Sequence, residues 1–153
     1  MFRIRLILLA VLAAACLAVV AAPSAHAVSD SRRWRAYEKA VAQRGCWYNY
    51  GAAGPCSRGY DCSGLVVRSY ASVGIYPPRT TGGMLGWWRL RFVSHANARM
   101  GDLVFYGSGH VELYAGKHTT LGALHSGTRV GWHHWYSDSW WRPTAYAHIR
   151  YSG

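Results

Sequence analysis

Asp61-Cys62-Ser63-Gly64-Leu65-Val66, continued as Val67-Arg68-Ser69-Tyr70-Ala71-Ser72-Val73-Gly74, joins a helix-capping residue, a cysteine directly behind it and an apolar stripe. Asp61 can accept hydrogen bonds from the free N–H groups of a helix start. Val66, Tyr70 and Val73 recur at helical spacing on one face, and Gly74 supplies the stop. The pattern predicts a helix through Val73 with Cys62 in its first turn. A free thiol has a pKa of about 8.5, so only about 3% is thiolate at pH 7. The unpaired N–H groups and the dipole of a helix start favour the anion and offer oxyanion donors. An imidazole within reach would complete the activation and later protonate a leaving amine. A buried structural cysteine is the commoner fate of a lone thiol, so the functional reading needs a base.

On the N-terminal side, Asp30 and Ser31 offer caps, and Trp34, Tyr37 and Val41 repeat at helical spacing before Gly45. Residues 46–60 are turn-rich. Cys46 and Cys56 flank the loop WYNYGAAGP, which can close on itself as a disulfide, although spacing does not prove connectivity. On the C-terminal side, Pro77-Pro78 forbids further helix. From Asp102 the period changes to that of strands: Asp102–Tyr106 and His110–Ala115 are joined by Gly107-Ser108-Gly109, a hairpin signal. Leu121–His125, Gly131–Trp135 and Thr144–Tyr151 are further candidate strands. Helices followed by an antiparallel sheet make an α+β domain.

His110 starts a strand after a glycine-rich turn, a rigid place from which to hold a ring over a helix end. His125, at the end of the next apolar run, is one candidate to orient it. Glu112 is the other, because two residues along a strand return to the same face. His95, His118, His133, His134 and His148 read as surface or loop residues. With no C-x-x-C pair and scattered histidines, the sequence offers no metal site.

The chain has 153 residues, 51% of them apolar and 15% charged, which excludes a disordered tail, a coiled coil, a repeat array and a multidomain enzyme. Arg3 and Arg5 precede an uncharged run from Leu6 to Ala22, and Pro23 and Ala25-His26-Ala27 follow. That is the pattern of a secretory leader, residues 1–27, cut after Ala27. The remaining domain, 28–153, keeps Cys46, Cys56 and Cys62, an odd set that leaves one thiol to explain outside the cytoplasm. The formal charge is +11. A cationic exported protein adheres to polyanions such as acidic cell-wall polymers, and export argues against nucleic acid as partner.

The motifs together resemble those of the NlpC/P60 cell-wall peptidases. Asp61-Cys62-Ser63-Gly64-Leu65-Val66 resembles the D-C-S-G-L-V signature, and Tyr48-Asn49-Tyr50-Gly51 the upstream Y-x-[WY]-G-G. Gly74 with Pro78-Arg79-Thr80-Thr81 resembles G-x-x-L-P-R-T-S. Gly101–Tyr106 resembles G-D-L-V-F-F, and Gly109-His110-Val111 with Tyr114-Ala115-Gly116 resembles G-H-V-G-I-Y-x-G. The resemblance spans roughly residues 32–130. It implies a papain-like α+β fold, with Cys62 as nucleophile, His110 as base and His125 as third polar member. Tyr48, Asp61 and Ser63 fall on the substrate and oxyanion side. Members hydrolyse amide bonds of peptidoglycan stem peptides, often between D-glutamate and a diamino acid, with neither metal nor cofactor. The implied protein is a secreted monomer, not held in the membrane after cleavage.

Four departures stand out. Ala52 replaces the second loop glycine, Met100 the proline before G-D-L-V, and Glu112 the glycine after His-Val. The Tyr48–Cys62 gap is about two residues longer than usual, around Cys56, which agrees with a loop-specific Cys46–Cys56 bridge. Two other functions fit the same residues: a cell-wall binding or effector protein, whose Trp/His-rich tail (Trp132 to Trp141) would stack on sugars, and an acyl or amide transferase.

Overall fold

The computed structural model describes residues 25–135 and 141–151. The expected leader lies outside the described residues, apart from Ala25–Ala27, and so do Tyr136 and Trp140 of the aromatic tail. The elements are α1 (Ala25–Val41), α2 (Cys62–Ala71), α3 (Thr81–Leu85), then β1 (Leu90–Val93), β2 (Leu103–Tyr106), β3 (His110–Gly116), β4 (Thr119–Gly122), β5 (Gly131–His134) and β6 (Ala145–Ile149). The strands form one antiparallel sheet in the order β1-β6-β2-β3-β4-β5. This is the α+β architecture expected. Among the described residues no helix is long and apolar enough to cross a membrane.

Helix α2 starts as its sequence dictates. Asp61 is extended, and its carboxylate accepts the Gly64 N–H at 2.7 Å. The helix ends two residues before Val73 because the last N–H groups, Val73 to Tyr70 and Gly74 to Ala71, bond three residues back. Gly74 then takes φ +77°, where a side chain would be strained. Helix α1 begins earlier than its expected caps: Asp30 is occupied by Arg33 at 2.8 Å and Arg99 at 3.1 Å instead. Three short elements were not expected, one of them the single 3-10 turn His95–Asn97. Thr80 caps α3 by accepting from Gly83 N at 3.1 Å, and β1 pairs with β6 at the sheet edge.

Ala36, Tyr37 and Ala40 of α1 and Leu65, Val66 and Tyr70 of α2 pack with Leu103, Phe105, Val111, Leu113, Leu121, Ala147 and Ile149 of the sheet. The opposite sheet face carries Val104, Tyr114, Tyr146 and Trp135. Cys46 and Cys56 are bridged, and Cys62 is the free cysteine among the described residues. The bridged loop is tied to α2 by Asp61 N to Ala52 O and Gly51 N to Asp61 Oδ2, both 2.9 Å.

Candidate active site

Cys62 is the first residue of α2 and is buried against the start of β3. Burial alone would raise its thiol pKa. The hydrogen bond with His110 and the His110 charge, with the Val111 N–H and the Thr81 hydroxyl, outweigh it and hold the thiol below its ordinary value. Thr81 Oγ1 lies 3.9 Å from the sulfur.

His110 is also buried, with Trp141 and Tyr106 against its ring at centroid distances of 5.3 and 5.6 Å. Burial would lower its pKa. The hydrogen bond with Cys62, the close contact with Glu112 and the negative charges of both push it up to about 9. Each shift favours the charged form of its own group beside the other, thiolate with imidazolium. Glu112, 0% exposed, brings Oε1 to 3.3 Å from His110 Nε2. The approach is oblique, so Nε2 makes no aligned hydrogen bond, and the contact acts chiefly as an ion pair. Burial would raise the Glu112 pKa, but the ion-pair contact with His110 and the hydrogen bond from His133 hold it at about 2, so it is anionic across the physiological range.

The expected site residues separate into two groups. Cys62, His110, Glu112 and Tyr48 come together: burial and then the Cys62 charge raise the Tyr48 hydroxyl pKa. His125 does not join them. It is exposed in the turn after β4, with its Nδ1 on the Ser126 carbonyl at 2.8 Å and its amide on Thr128 Oγ1 at 3.2 Å. Strand β4 ends at Gly122, three residues before the expected end, so the chain has already turned outward at 125.

Asp61 and Ser63 face an arginine rather than open space. Arg79 spans Asp61 with Nη1–Oδ1 at 3.0 Å and Nη2–Oδ2 at 2.8 Å, and reaches Ser63 Oγ at 2.9 Å. Burial would raise the Asp61 pKa, but Arg79 with the Gly64 and Gly51 amides holds it low. Asp61 therefore works as cap and anchor beside Cys62. Arg79 and Thr81 stand in a matched motif with no role assigned from the sequence, and no local signal pairs Arg79 with an acid 18 residues away. His133 and His148 are corrections too. Both are strand residues paired with buried carboxylates, His133 Nδ1 with Glu112 at 2.6 Å and His148 Nδ1 with Asp102 at 2.7 Å. Among the described residues no group of His, Cys, Asp and Glu could hold a metal ion.

Gly64 is where the loop and the helix meet. A Cβ there would fall on the Ala52 carbonyl oxygen and 2.9 Å from Asp61 Oδ1. Gly64→Ala is expected to lower stability by about 1–3 kcal/mol, as overpacking does, and thermal unfolding followed by circular dichroism checks it. An unchanged melting temperature would mean that the loop yields freely.

The profile of the NlpC/P60 family matches residues 45–149. The peptidoglycan endopeptidase RipB of Mycobacterium tuberculosis is 36% identical over 132 residues, covering 71% of this chain and 54% of RipB. RipA of the same organism, also named a peptidoglycan endopeptidase, is 36% identical over 106 residues, covering 60% of this chain and 22% of RipA. The solved structure of the peptidoglycan hydrolase RipB superposes with a TM-score of 0.67 at 30% identity, over 85% of this chain and 70% of that one. The chain thus spans about half the length of RipB.

Proposed function

The chain belongs to the NlpC/P60 family, and on that premise we propose that it is a cysteine peptidase that cleaves amide bonds in peptidoglycan stem peptides. The observation that carries the reading is the pairing of Cys62, at the start of α2, with His110, at the start of β3. The Cys62 thiolate attacks the amide carbonyl carbon, forming a C–S bond while the π electrons move to oxygen. The amides at the α2 start and the Tyr48 hydroxyl face that oxyanion. Collapse breaks the C–N bond, and the His110 imidazolium gives its proton to the leaving amine. Water then attacks the thioester as His110 takes its proton, releasing the acid and restoring the thiolate. Glu112 stays anionic throughout and stabilises the imidazolium.

The bond cut is the one between D-glutamate and the diamino acid. The leader of residues 1–27 exports domain 28–153, which acts in the cell wall as a monomer, and its positive charge holds it on anionic wall polymers. Incubating the protein with purified peptidoglycan and weighing the released fragments by mass spectrometry tests the reading. A new amine on the diamino acid, absent with Cys62→Ala, is the expected product; intact stem peptides after prolonged incubation would overturn it.

A further inference from the structure

Glu112 carries a buried carboxylate shared among three strands. Oε2 accepts the hydroxyl of Thr120 on β4. That hydroxyl has one hydrogen and gives it to Glu112, so Tyr106 of β2, 3.2 Å from Thr120 Oγ1, is the donor in that second contact. Oε1 lies 3.3 Å from His110 Nε2 but 2.6 Å from His133 Nδ1 on β5. The aligned imidazole contact is therefore to His133, and the oblique one to His110.

The sheet register explains the arrangement. Thr120 and His133 sit opposite each other on β4 and β5, so both approach the carboxylate from one face. His134 points the other way, its Nδ1 3.0 Å from Thr119 Oγ1. Gly122 leaves the room: a Cβ there would come 2.6 Å from the Glu112 carboxyl carbon. The groups that face Glu112 are thus His110 on its own strand, Thr120 and His133 from β4 and β5, and Tyr106 of β2 through Thr120. A glutamate has three side-chain torsions, and a buried carboxylate is costly unless its oxygens are bonded.

We propose that His133 is a positioning residue for the reaction, donating from the edge strand to Glu112 and so holding the carboxylate where it steers and charges His110. The inference rests on the catalytic reading of Cys62 and His110. His133 itself touches neither the sulfur nor the scissile bond. It acts by fixing one oxygen while Thr120 fixes the other, which leaves His110 a charged neighbour of constant position.

The test pairs turnover with a readout that needs none: the pH dependence of iodoacetamide alkylation, mapped to Cys62 by mass spectrometry. His133→Ala is expected to lower kcat/KM roughly tenfold and to move the alkylation midpoint to higher pH. His133→Asn, whose amide N–H can stand in for Nδ1–H, should keep both near wild type, and His134→Ala should change neither. An unaltered alkylation profile in His133→Ala overturns the proposal. So does a loss in His133→Asn as large as in His133→Ala with an equal fall in melting temperature, which marks a residue that only packs. An ordinary thiol titration at wild-type Cys62 would instead remove the catalytic reading itself, and this proposal with it.

Discussion

Cys62→Ala should leave a folded protein whose kcat/KM on stem peptide falls by at least about 10³-fold, because the proposed acyl intermediate forms on the Cys62 sulfur. The substitution removes a small buried atom from the edge of the core, so the melting temperature should move by only a few degrees. The ionisable partner responds more. With the sulfur gone, His110 loses its hydrogen bond and a negative neighbour, both of which raise its pKa, and an NMR titration should find it lower than in the wild type. Cys62→Ser separates ionisation from geometry: the hydroxyl can still meet His110 but does not ionise near neutral pH, and the variant should be nearly as inactive. Turnover within tenfold of wild type in Cys62→Ala would remove the nucleophile from the mechanism.

How far the sequence carries depends on how local the relevant contact is. The Asp61 cap, the Cys62 position and the Gly74 stop all lie within one helix, and short-range rules suffice for them. His110 follows from a hairpin signal three residues long. The partner of His110 is different. Choosing between His125 and Glu112 requires the register between β3 and β4, and that register depends on where β4 stops. Glu112 also needs an empty place across the strand, which Gly122 provides, and neither residue reveals this without the other. His133 lies 21 residues from Glu112 and contacts it only because β5 pairs in register with β4. The same holds for Arg79, whose partner Asp61 lies 18 residues away across a turn. The weakly patterned edge strand β1 and the five-residue α3 were missed because four or five residues carry too little periodicity to separate from loop.

Glu112→Gln is nearly isosteric and isolates charge from shape, and it should lower kcat/KM on the order of 10²–10³-fold. The sign of the pH effect follows from the pair. In the wild type the active thiolate–imidazolium form exists between the lowered Cys62 pKa and the raised His110 pKa of about 9. Glu112 is ionised over that whole window, so it raises His110 without titrating. Neutralising it destabilises the imidazolium, and the alkaline limb of kcat/KM should move down from about 9. With less positive charge beside the sulfur, the thiol pKa rises and the acid limb should move up. The bell narrows from both sides and loses height. Folding stability carries the same signature. A raised His110 pKa contributes stability that is complete below the ordinary histidine value and is lost as pH rises through about 9. The wild type should therefore lose thermal stability over that interval, and Glu112→Gln should lose less. A pH–rate profile of unchanged limbs in Glu112→Gln would show that the carboxylate sets only the ring's position, and that the charge needed by His110 comes from Cys62 alone.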